Sequence, residues 1–359
     1  MKYQINHEIQ KSAYMQLYEQ LRYDIVACVY PYGAKLPSKR LLAEEADISV
    51  ITVEHAYAIL CDEGYVESRQ RSGYFVIYKE GELVSTADNH PTLPIRRNQH
   101  NASSEFPFSV LAKTMRRVLL DYNENILVKS PNHGCAELRS AISSYLARSN
   151  GIDVSSDHII IGSGAEYLYS LIVQLLGEER IYALESPSYE KIRRVYHANG
   201  VECELLKMDR DGIRTDELDS SKASVLHITP FNSFPSGITA SASKRREYIR
   251  WAQKRDGYII EDNYDSELTV STKNEDTVFS LSEKGRVIYL NTFSKTIAPS
   301  IRVGYMVLPR SLLSEFESKL GFYSCTVPVF EQYVLAELIN NGDFERHINR
   351  VRRARRKGN

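Results

Sequence analysis

The sequence predicts two regions of different fold class: a short helical region that ends in a β-hairpin, and a larger α/β region with a mostly parallel sheet. The first prediction rests on three helix-periodic segments and two alternating segments before residue 78. The second rests on apolar β-rich runs that alternate with helical stretches after residue 106. A chain of 359 residues, 43% hydrophobic and 25% charged, is long enough for two domains and excludes disordered and fibrous classes.

The first region reads as three helices followed by two short strands. Pro31 ends the first helix, Ser38 is suited to cap the second, and Gly64 closes the third. The predicted elements are helices over 12–29, 38–46 and 50–63 and strands over 65–69 and 74–77. This order is that of a winged helix-turn-helix, which we assign to residues 1–78.

DNA contacts are expected at the helix starts and on the hairpin. The second helix of a helix-turn-helix pair enters the major groove, and positive or small polar groups nearby suit phosphate oxygens. The predicted DNA-contacting residues are Ser38, Lys39, Arg40, Ser49, Thr52, His55, Tyr57, Arg69, Arg71, Ser72 and Gly73. Residues 1–78 hold eight Lys or Arg against ten Asp or Glu, so a single winged helix-turn-helix domain is expected to bind DNA weakly. Two such domains acting together in a dimer are therefore expected to be needed for DNA binding. On charge alone, Lys39 and Arg40 fit a solvated helix face better than a DNA contact.

An ordered series of motifs in this region resembles the GntR-type winged-helix family along its whole length. The motifs are LPSKRLLA (36–43), ISVITV (48–53), EGYVESR (63–69) and SGYFV (72–76). The resemblance implies a transcriptional regulator that binds double-stranded operator DNA. One position departs from the family pattern, because Ile51 stands where the family usually has an arginine.

Residues 79–106 are polar and carry Pro91 and Pro94, which is typical of a linker. The α/β region follows over 107–359. Its strand candidates are 158–161, 180–184, 201–206, 224–228, 258–260 and 287–290. Buried strands separated by helices indicate a mostly parallel sheet with flanking helices.

A lysine directly after the last of these strands is the first candidate for cofactor chemistry. Lys295 lies among the hydroxyls of Thr292 and Ser294 and is followed by Arg302. An amine beside hydroxyls and a guanidinium fits a cofactor that carries both an aldehyde and a phosphate. A lone lysine on a loop is otherwise most often solvated, so its neighbours decide the interpretation.

Two further segments support a phosphate-bearing aromatic cofactor. The turn 162–166 follows a strand and opens a helix, where backbone N–H groups can bind a phosphate, although such a turn alone is weak support. Asp262 and Tyr264 follow the strand 258–260, at the sheet edge where α/β folds bind ligands. Glu261 is an alternative to Asp262, since either carboxylate could face inward.

Together these segments resemble the fold-type I, pyridoxal-phosphate-dependent aminotransferase-like half of MocR-type regulators, over roughly 132–353. The matching motifs are PNHG (131–134), ESPSY (185–189), FPSG (234–237), EDNYDSE (261–267) and TFSK (292–295). The resemblance implies pyridoxal 5'-phosphate as cofactor, with Lys295 as the Schiff-base lysine and Asp262 at the pyridine nitrogen. It also implies that Tyr264 contacts the ring hydroxyl and that Tyr189 stacks on the ring. The residues implied to hold the phosphate are Ser163, Gly164, Ala165, Glu166, Thr292, Ser294 and Arg302.

Two departures from that family bear on function. Asn232 and Ser233 stand where the family commonly has His-Gln. The chain ends at Asn359, short of the family's small C-terminal domain, which carries the arginine that binds an amino acid's α-carboxylate. We therefore expect the α/β domain to lack that small domain, and we do not expect catalysis.

The leading hypothesis is a homodimeric DNA-binding regulator whose aminotransferase-like domain binds pyridoxal phosphate and an amino compound as effector. The alternatives are a working aminotransferase with an accessory head, and a DNA-binding protein whose second domain only dimerises. The five cysteines are scattered without a CxxC pair, so no metal site is predicted. Without a long apolar run or a signal sequence, a cytoplasmic location is expected and no membrane partner.

Overall fold

The computed structural model describes residues 3–6, 11–70, 72–78, 106–269, 276–282 and 285–358. The chain packs as two compact units, Met1–Arg97 and Asn98–Asn359. The predicted linker, except for its last residue, and the predicted DNA contact Arg71 lie outside the described residues. Within the described ranges, no helix is both long and apolar enough to cross a membrane.

The first unit is a three-helix cluster with a two-stranded wing. Its elements are α1 (Ala13–Val26), α2 (Lys39–Ala46), α3 (Val50–Asp62), β1 (Val66–Arg69) and β2 (Gly73–Val76). The two strands pair antiparallel, as expected for a hairpin. Leu17, Leu42, Val53 and Leu60 are fully buried between the helices. This arrangement confirms the winged helix-turn-helix fold.

The second unit alternates strands and helices. Its helices are α4 (Phe108–Tyr122), α5 (Ala136–Asn150), α6 (Ala165–Leu176), α7 (Glu190–Ala198), α8 (Thr215–Ser220), α9 (Ala242–Lys254), α10 (Val278–Leu281), α11 (Arg310–Leu320), α12 (Val329–Asn340) and α13 (Asp343–Gly358). Its strands are β3 (Ile159–Gly162), β4 (Tyr182–Ser186), β5 (Cys203–Asp209), β6 (Gly212–Ile213), β7 (Val225–Ile228), β8 (Tyr258–Asp262), β9 (Val287–Thr292) and β10 (Gly304–Val307).

The strands form one sheet in the order β3-β10-β9-β8-β7-β4-β5-β6. Strands β9, β8, β7, β4 and β5 are parallel, which confirms the predicted sheet type. Strand β10 was not predicted, and it pairs antiparallel with both β3 and β9. It therefore brings the turn after β3 next to the end of β9.

Alternating side chains of the sheet enter separate cores on its two faces, because successive residues of a strand point to opposite faces. Tyr289 and Tyr305 join the core that contains α5 and α12. Leu290 and Met306 join the core that contains α6 and α11. With both faces covered, the carboxyl ends of the parallel strands are the open edge at which a ligand site can form.

Candidate functional site

The N-terminal ends of α2 and α3 are fixed by serine caps. Ser38 Oγ accepts the N–H of Leu41 at 3.2 Å, and Ser49 Oγ accepts the N–H of Thr52 at 3.1 Å. The hydroxyls of Ser49 and Thr52 also lie 2.8 Å apart. These predicted DNA contacts therefore have a structural role as well, since a cap satisfies a backbone donor that the helix leaves free.

The predicted contacts around α2 and α3 differ in how available they are. Arg40 and His55 are exposed, with the His55 ring edge-on to Tyr14 at 5.8 Å. Lys39 is engaged, because its Nζ lies 2.6 Å from Glu54 Oε1 on α3. This ion pair offsets the positive charge that Lys39 offers to a phosphate.

Tyr57 does not belong to this surface, contrary to the sequence-based expectation. Its side chain is fully buried, and its hydroxyl donates to the carbonyl of Pro37 at 2.8 Å. Its ring packs on Tyr74 with the centroids 4.7 Å apart. Tyr57 thus joins α3 to the segment before α2 and to the wing, and it contributes to the fold of the head rather than to a DNA contact.

The wing presents Arg69 and the turn residues Ser72 and Gly73. The Nε of Arg69 donates to Glu67 at 2.6 Å, and its guanidinium lies 4.5 Å from the ring centroid of Phe75. Gly73 has a φ of +111°, a conformation that suits glycine at a tight turn. Exposed Arg69 and Ser72 lie at this end of the hairpin.

In the second unit, a cavity of about 430 Å³ opens at the carboxyl ends of β8 and β9. It brings together side chains from distant parts of the chain. Its lining includes Ala165, Glu166, Tyr169, Tyr189, Lys191, Thr229, Phe234, Asp262, Tyr264, Thr292, Ser294, Lys295 and Arg302. Most of these residues belong to the predicted cofactor-binding set, but Tyr169, Lys191, Thr229 and Phe234 do not.

One wall of the cavity is the turn between β3 and α6. Gly164 has a φ of +93°, and α6 starts there without a side-chain cap. A Cβ on Gly164 would lie 2.9 Å from a terminal nitrogen of Arg302, so that guanidinium lies directly against the turn. The first N–H groups of α6 and Arg302 therefore converge, which is the donor set that a phosphate requires.

The adjoining loop after β9 carries the predicted hydroxyls and the lysine. Ser294 Oγ donates to the carbonyl of Ile301 at 2.7 Å, and Thr292 Oγ1 donates to that of Val303 at 3.1 Å. These bonds hold the loop against the segment that leads into β10. Lys295 lies at the cavity with an exposed side chain, and among the described residues it forms no ion pair. Its amine is thus accessible from the cavity.

The structure resolves the choice between Glu261 and Asp262. Asp262 lines the cavity, whereas Glu261 points to the opposite face of β8. There its carboxylate accepts the N–H groups of Val278 at 2.9 Å and Phe279 at 2.7 Å. Burial raises the pKa of Glu261 to about 7. Asp262 is therefore the carboxylate available to a ligand.

Asp262 is held by aromatic and imidazole neighbours that were not predicted. The hydroxyl of Tyr169 donates to Asp262 Oδ2, and the backbone N–H of Tyr264 donates to Oδ1 at 3.3 Å. His227 Nε2 lies 3.7 Å from Oδ2, and its Nδ1 is 2.7 Å from the hydroxyl of Tyr196. Burial, together with the charge of Asp262, raises the pKa of Tyr169 well above its ordinary value, so its hydroxyl stays a donor.

Aromatic side chains close the cavity on the remaining sides. Tyr189 is 47% exposed and lies edge-on to Phe234, with the centroids 6.0 Å apart. The Tyr264 hydroxyl donates to the carbonyl of Asn232 at 3.3 Å, and burial raises the pKa of Tyr264 to about 12.

The segment that follows Asp262 is fixed by α13. The amide of Asn232 donates to Asp265 at 2.5 Å, and Arg355 of α13 lies 3.7 Å from the other oxygen of that carboxylate. Arg352 donates to the carbonyl of Glu267 at 2.5 Å. Residues far from the cavity in sequence therefore hold the Tyr264 segment in place.

Two sequence families match this chain. Residues 13–76 match the gntR family of bacterial regulatory proteins, and residues 97–358 match aminotransferase class I and II. Over 98% of the chain and 79% of the relative, it is 33% identical to the uncharacterized HTH-type transcriptional regulator YdeL of Bacillus subtilis. The chain belongs to the MocR-type family of GntR regulators.

Other relatives match this chain over most of their own length. The probable rhizopine catabolism regulatory protein MocR of Rhizobium meliloti is 29% identical over 94% of this chain and 74% of that protein. PdxR of Corynebacterium glutamicum, a pyridoxine biosynthesis transcriptional regulator, is 27% identical over 94% of this chain and 75% of that protein. This MocR-type chain is thus a DNA-binding transcriptional regulator with an aminotransferase-like domain.

Solved aminotransferases share the fold of the second unit. Kynurenine aminotransferase of Pyrococcus horikoshii superposes with a TM-score of 0.61 at 27% identity, covering 69% of this chain and 64% of the enzyme. An archaeal alanine:glyoxylate aminotransferase gives a TM-score of 0.62 at 25% identity, covering 67% and 62%. The MocR-type chain therefore spans less than two thirds of the length of these enzymes. The class I and II aminotransferase fold implies pyridoxal 5'-phosphate as the cofactor.

Proposed function

We propose that this MocR-type regulator binds pyridoxal phosphate in the cavity at the ends of β8 and β9, and that the bound cofactor senses an amino compound. The observation that carries the proposal is the convergence of a phosphate cradle, a buried carboxylate and an accessible lysine in one cavity. When bound, the cofactor supplies an aldehyde that reacts reversibly with primary amines. A regulator that acts on DNA in this way is expected to be cytoplasmic.

The residues of this cavity divide the binding task by chemistry. Arg302 and the first N–H groups of α6 would bind the phosphate, with the hydroxyls of Thr292 and Ser294 beside them. Asp262 would keep a proton on the pyridine nitrogen, because a nearby carboxylate stabilises the charged ring. Lys295 would offer its amine to the aldehyde, and Tyr189 would cover the ring.

Arg302→Gln is expected to weaken pyridoxal phosphate binding by roughly 10- to 100-fold, since a hydrogen bond to a charged group contributes about 1.5–3 kcal/mol. The shift is measured by titrating the apo protein with cofactor and following absorbance. Arg310→Gln is the matched control, because Arg310 is exposed at the start of α11 and does not line the cavity. Equal affinities for the wild type and Arg302→Gln would contradict the placement of the phosphate.

The winged helix-turn-helix unit is proposed to bind DNA through Arg40, Arg69 and the start of α3. Arg40→Ala is expected to lower affinity uniformly across DNA sequences and to reduce the slope of log K against log salt by about 1, because one phosphate contact is lost. Fluorescence anisotropy on a duplex from its own upstream region, at several salt concentrations, measures both. Arg22→Ala on α1 is the control. An unchanged slope for Arg40→Ala would remove Arg40 from the interface.

We further propose that the regulator is a homodimer. Phe108, Met115 and Leu119 form one stripe along α4 and are 80%, 37% and 49% exposed. A contiguous apolar stripe of this kind marks an association surface, and two heads would reinforce each other on paired half-sites.

Leu119→Glu is therefore expected to convert the dimer to a monomer at micromolar concentration, as measured by light scattering. Lys113→Glu is the control, because it introduces the same residue on another face of the same exposed helix. A dimer that persists in Leu119→Glu would contradict the use of this stripe.

Transamination is the second candidate function, and the accessible amine of Lys295 favours it, because this amine could also carry the proton. It is tested by incubating the holo protein with an amino donor and a keto acid. Steady formation of the new amino acid, beyond one equivalent of protein, would establish the enzyme. If the protein binds the cofactor but forms no new amino acid, the result supports a regulatory function without catalysis.

A further inference from the structure

The outward face of α3 carries aliphatic groups where the recognition helix of a DNA-binding domain often carries cations. Its exposed residues in the first turns are Val50, Ile51, Glu54, His55 and Ala58, which we call the reading face. Ile51 is 66% exposed and Val50 is 41% exposed. Val53 and Ala56, on the inner face, are fully buried. The core therefore does not need the Ile51 side chain.

The charge on the reading face argues against phosphate or guanine recognition there. None of its five residues is Lys or Arg. The nearby cation from α2, Lys39, is paired with Glu54 at 2.6 Å. A guanidinium is the side chain that most often reads guanine, and the reading face has none to offer.

Aliphatic groups in the major groove have one specific partner. Each base pair presents a distinct set of donors and acceptors there, and thymine alone among the bases adds an apolar methyl group at C5. Burying that methyl against an aliphatic side chain removes both from water. We propose that Ile51, supported by Val50, determines sequence specificity by contacting the thymine methyl group. The proposal rests on the proposed function of the reader as a DNA-binding domain.

The test separates the methyl group from all other features of the site. Duplexes bound by the full-length holo protein are first selected from a random library, and each enriched thymine is then replaced by deoxyuridine, which lacks only the methyl. At one thymine per half-site, replacement is expected to weaken binding about fourfold, because a buried CH₂-sized group contributes about 0.8 kcal/mol. Fluorescence anisotropy at fixed salt measures the change.

Ile51→Ala and the uracil substitution together form a double-mutant cycle, in which wild type and variant are each measured on the thymine and the uracil duplex. The variant is expected to bind the thymine duplex about as weakly as the wild type binds the uracil duplex, and to be insensitive to uracil itself. Val29→Ala is the matched control, because Val29 is an exposed aliphatic residue of the same domain, 53% exposed, outside α3. It is expected to retain the full uracil effect.

The outcomes distinguish this inference from the function it rests on. Absence of any enriched duplex would overturn both DNA reading by this domain and thymine recognition. Enriched sites that tolerate uracil at every position, or an Ile51→Ala variant that responds to uracil as the wild type does, would overturn the role of Ile51 alone. A uracil effect that is lost only in Ile51→Ala would establish it.

Discussion

Lys295→Ala is expected to abolish completely the visible absorption band that pyridoxal phosphate develops when it is bonded to a protein lysine. The amine of Lys295 is accessible from the cavity, and alanine offers no nucleophile in its place. Its side chain is exposed, so the variant should fold normally. Absorbance spectra of the wild type and the variant, recorded after adding cofactor in excess and removing the unbound part, provide the measurement.

The cavity contains a second lysine, so the assignment of the cofactor-bonding lysine to Lys295 can be tested against an alternative residue. Lys191 also lines the cavity, but its Nζ lies 2.9 Å from Glu166 Oε1. Lys191→Ala is therefore the matched control and should keep the band. Reduction with borohydride followed by peptide mapping should place the cofactor on the peptide that contains Lys295. A label on Lys191, or a band that survives in Lys295→Ala, would refute the assignment.

The fold of the winged helix-turn-helix unit was predictable from the sequence because its elements are short and local sequence signals mark where they begin and end. The capping serines Ser38 and Ser49 mark the starts of α2 and α3, and the structure places both helices within a residue of the predicted bounds. Tyr57 shows where the prediction went too far. Val53, Ala56, Tyr57 and Leu60 repeat at the spacing of one buried helix face, so periodicity alone could have assigned Tyr57 to the core.

The site in the second unit was predictable residue by residue but not as an assembled cavity. Lys295 and Gly164 follow strands, Asp262 ends one, and parallel strands end at one edge of a sheet. The contact between Gly164 and Arg302 depends on β10 lying between β3 and β9, and non-local pairing of this kind leaves no periodic signal in the sequence. Tyr169 and His227 meet Asp262 for the same reason.

Alternation along a strand predicted that Glu261 and Asp262 face opposite ways, without saying which faces the ligand. Packing of the helices against the two faces of β8 decides which carboxylate faces the cavity. Helix α10 brings the N–H groups of Val278 and Phe279 to Glu261 on one face of β8. On the other face, Tyr169 of α6 reaches Asp262. The helix layers therefore assign one carboxylate to the fold and the other to the cavity.

Glu185 provides the largest expected effect on stability. The side chain is 3% exposed at the end of β4, where it accepts a hydrogen bond from the Ser233 hydroxyl at 2.6 Å. Burial raises the pKa of Glu185 to about 7 from its ordinary value of 4.5. Between these two values, the folded protein keeps a proton that the unfolded chain releases. The contribution of Glu185 to the free energy of unfolding is therefore greatest below pH 4.5, falls as the pH rises to 7, and is constant above.

Glu185→Gln is expected to raise the free energy of unfolding by about 3 kcal/mol at pH 8, since one pKa unit corresponds to about 1.4 kcal/mol. At pH 5 the difference should fall below about 1 kcal/mol, because the carboxyl is then protonated in the folded protein, where glutamine resembles it, and the pH is only half a unit above the ordinary pKa of 4.5 that applies in the unfolded chain. The amide oxygen can still accept the Ser233 hydroxyl. Denaturant unfolding of both proteins at pH 5, 6, 7 and 8 measures the difference.

The comparison between the two proteins isolates Glu185 from other titrating groups. Burial also raises the pKa values of Glu261 and Glu267 to about 7, and it lowers that of His347. These groups act equally in both proteins, so they cancel in the difference. Glu202→Gln, at an exposed position just before β5, is the matched control and should leave the profile unchanged. A Glu185→Gln variant that is less stable than the wild type at pH 8 would mean that the ionised carboxylate stabilises the fold, and that the Ser233 bond outweighs the cost of burying the charge.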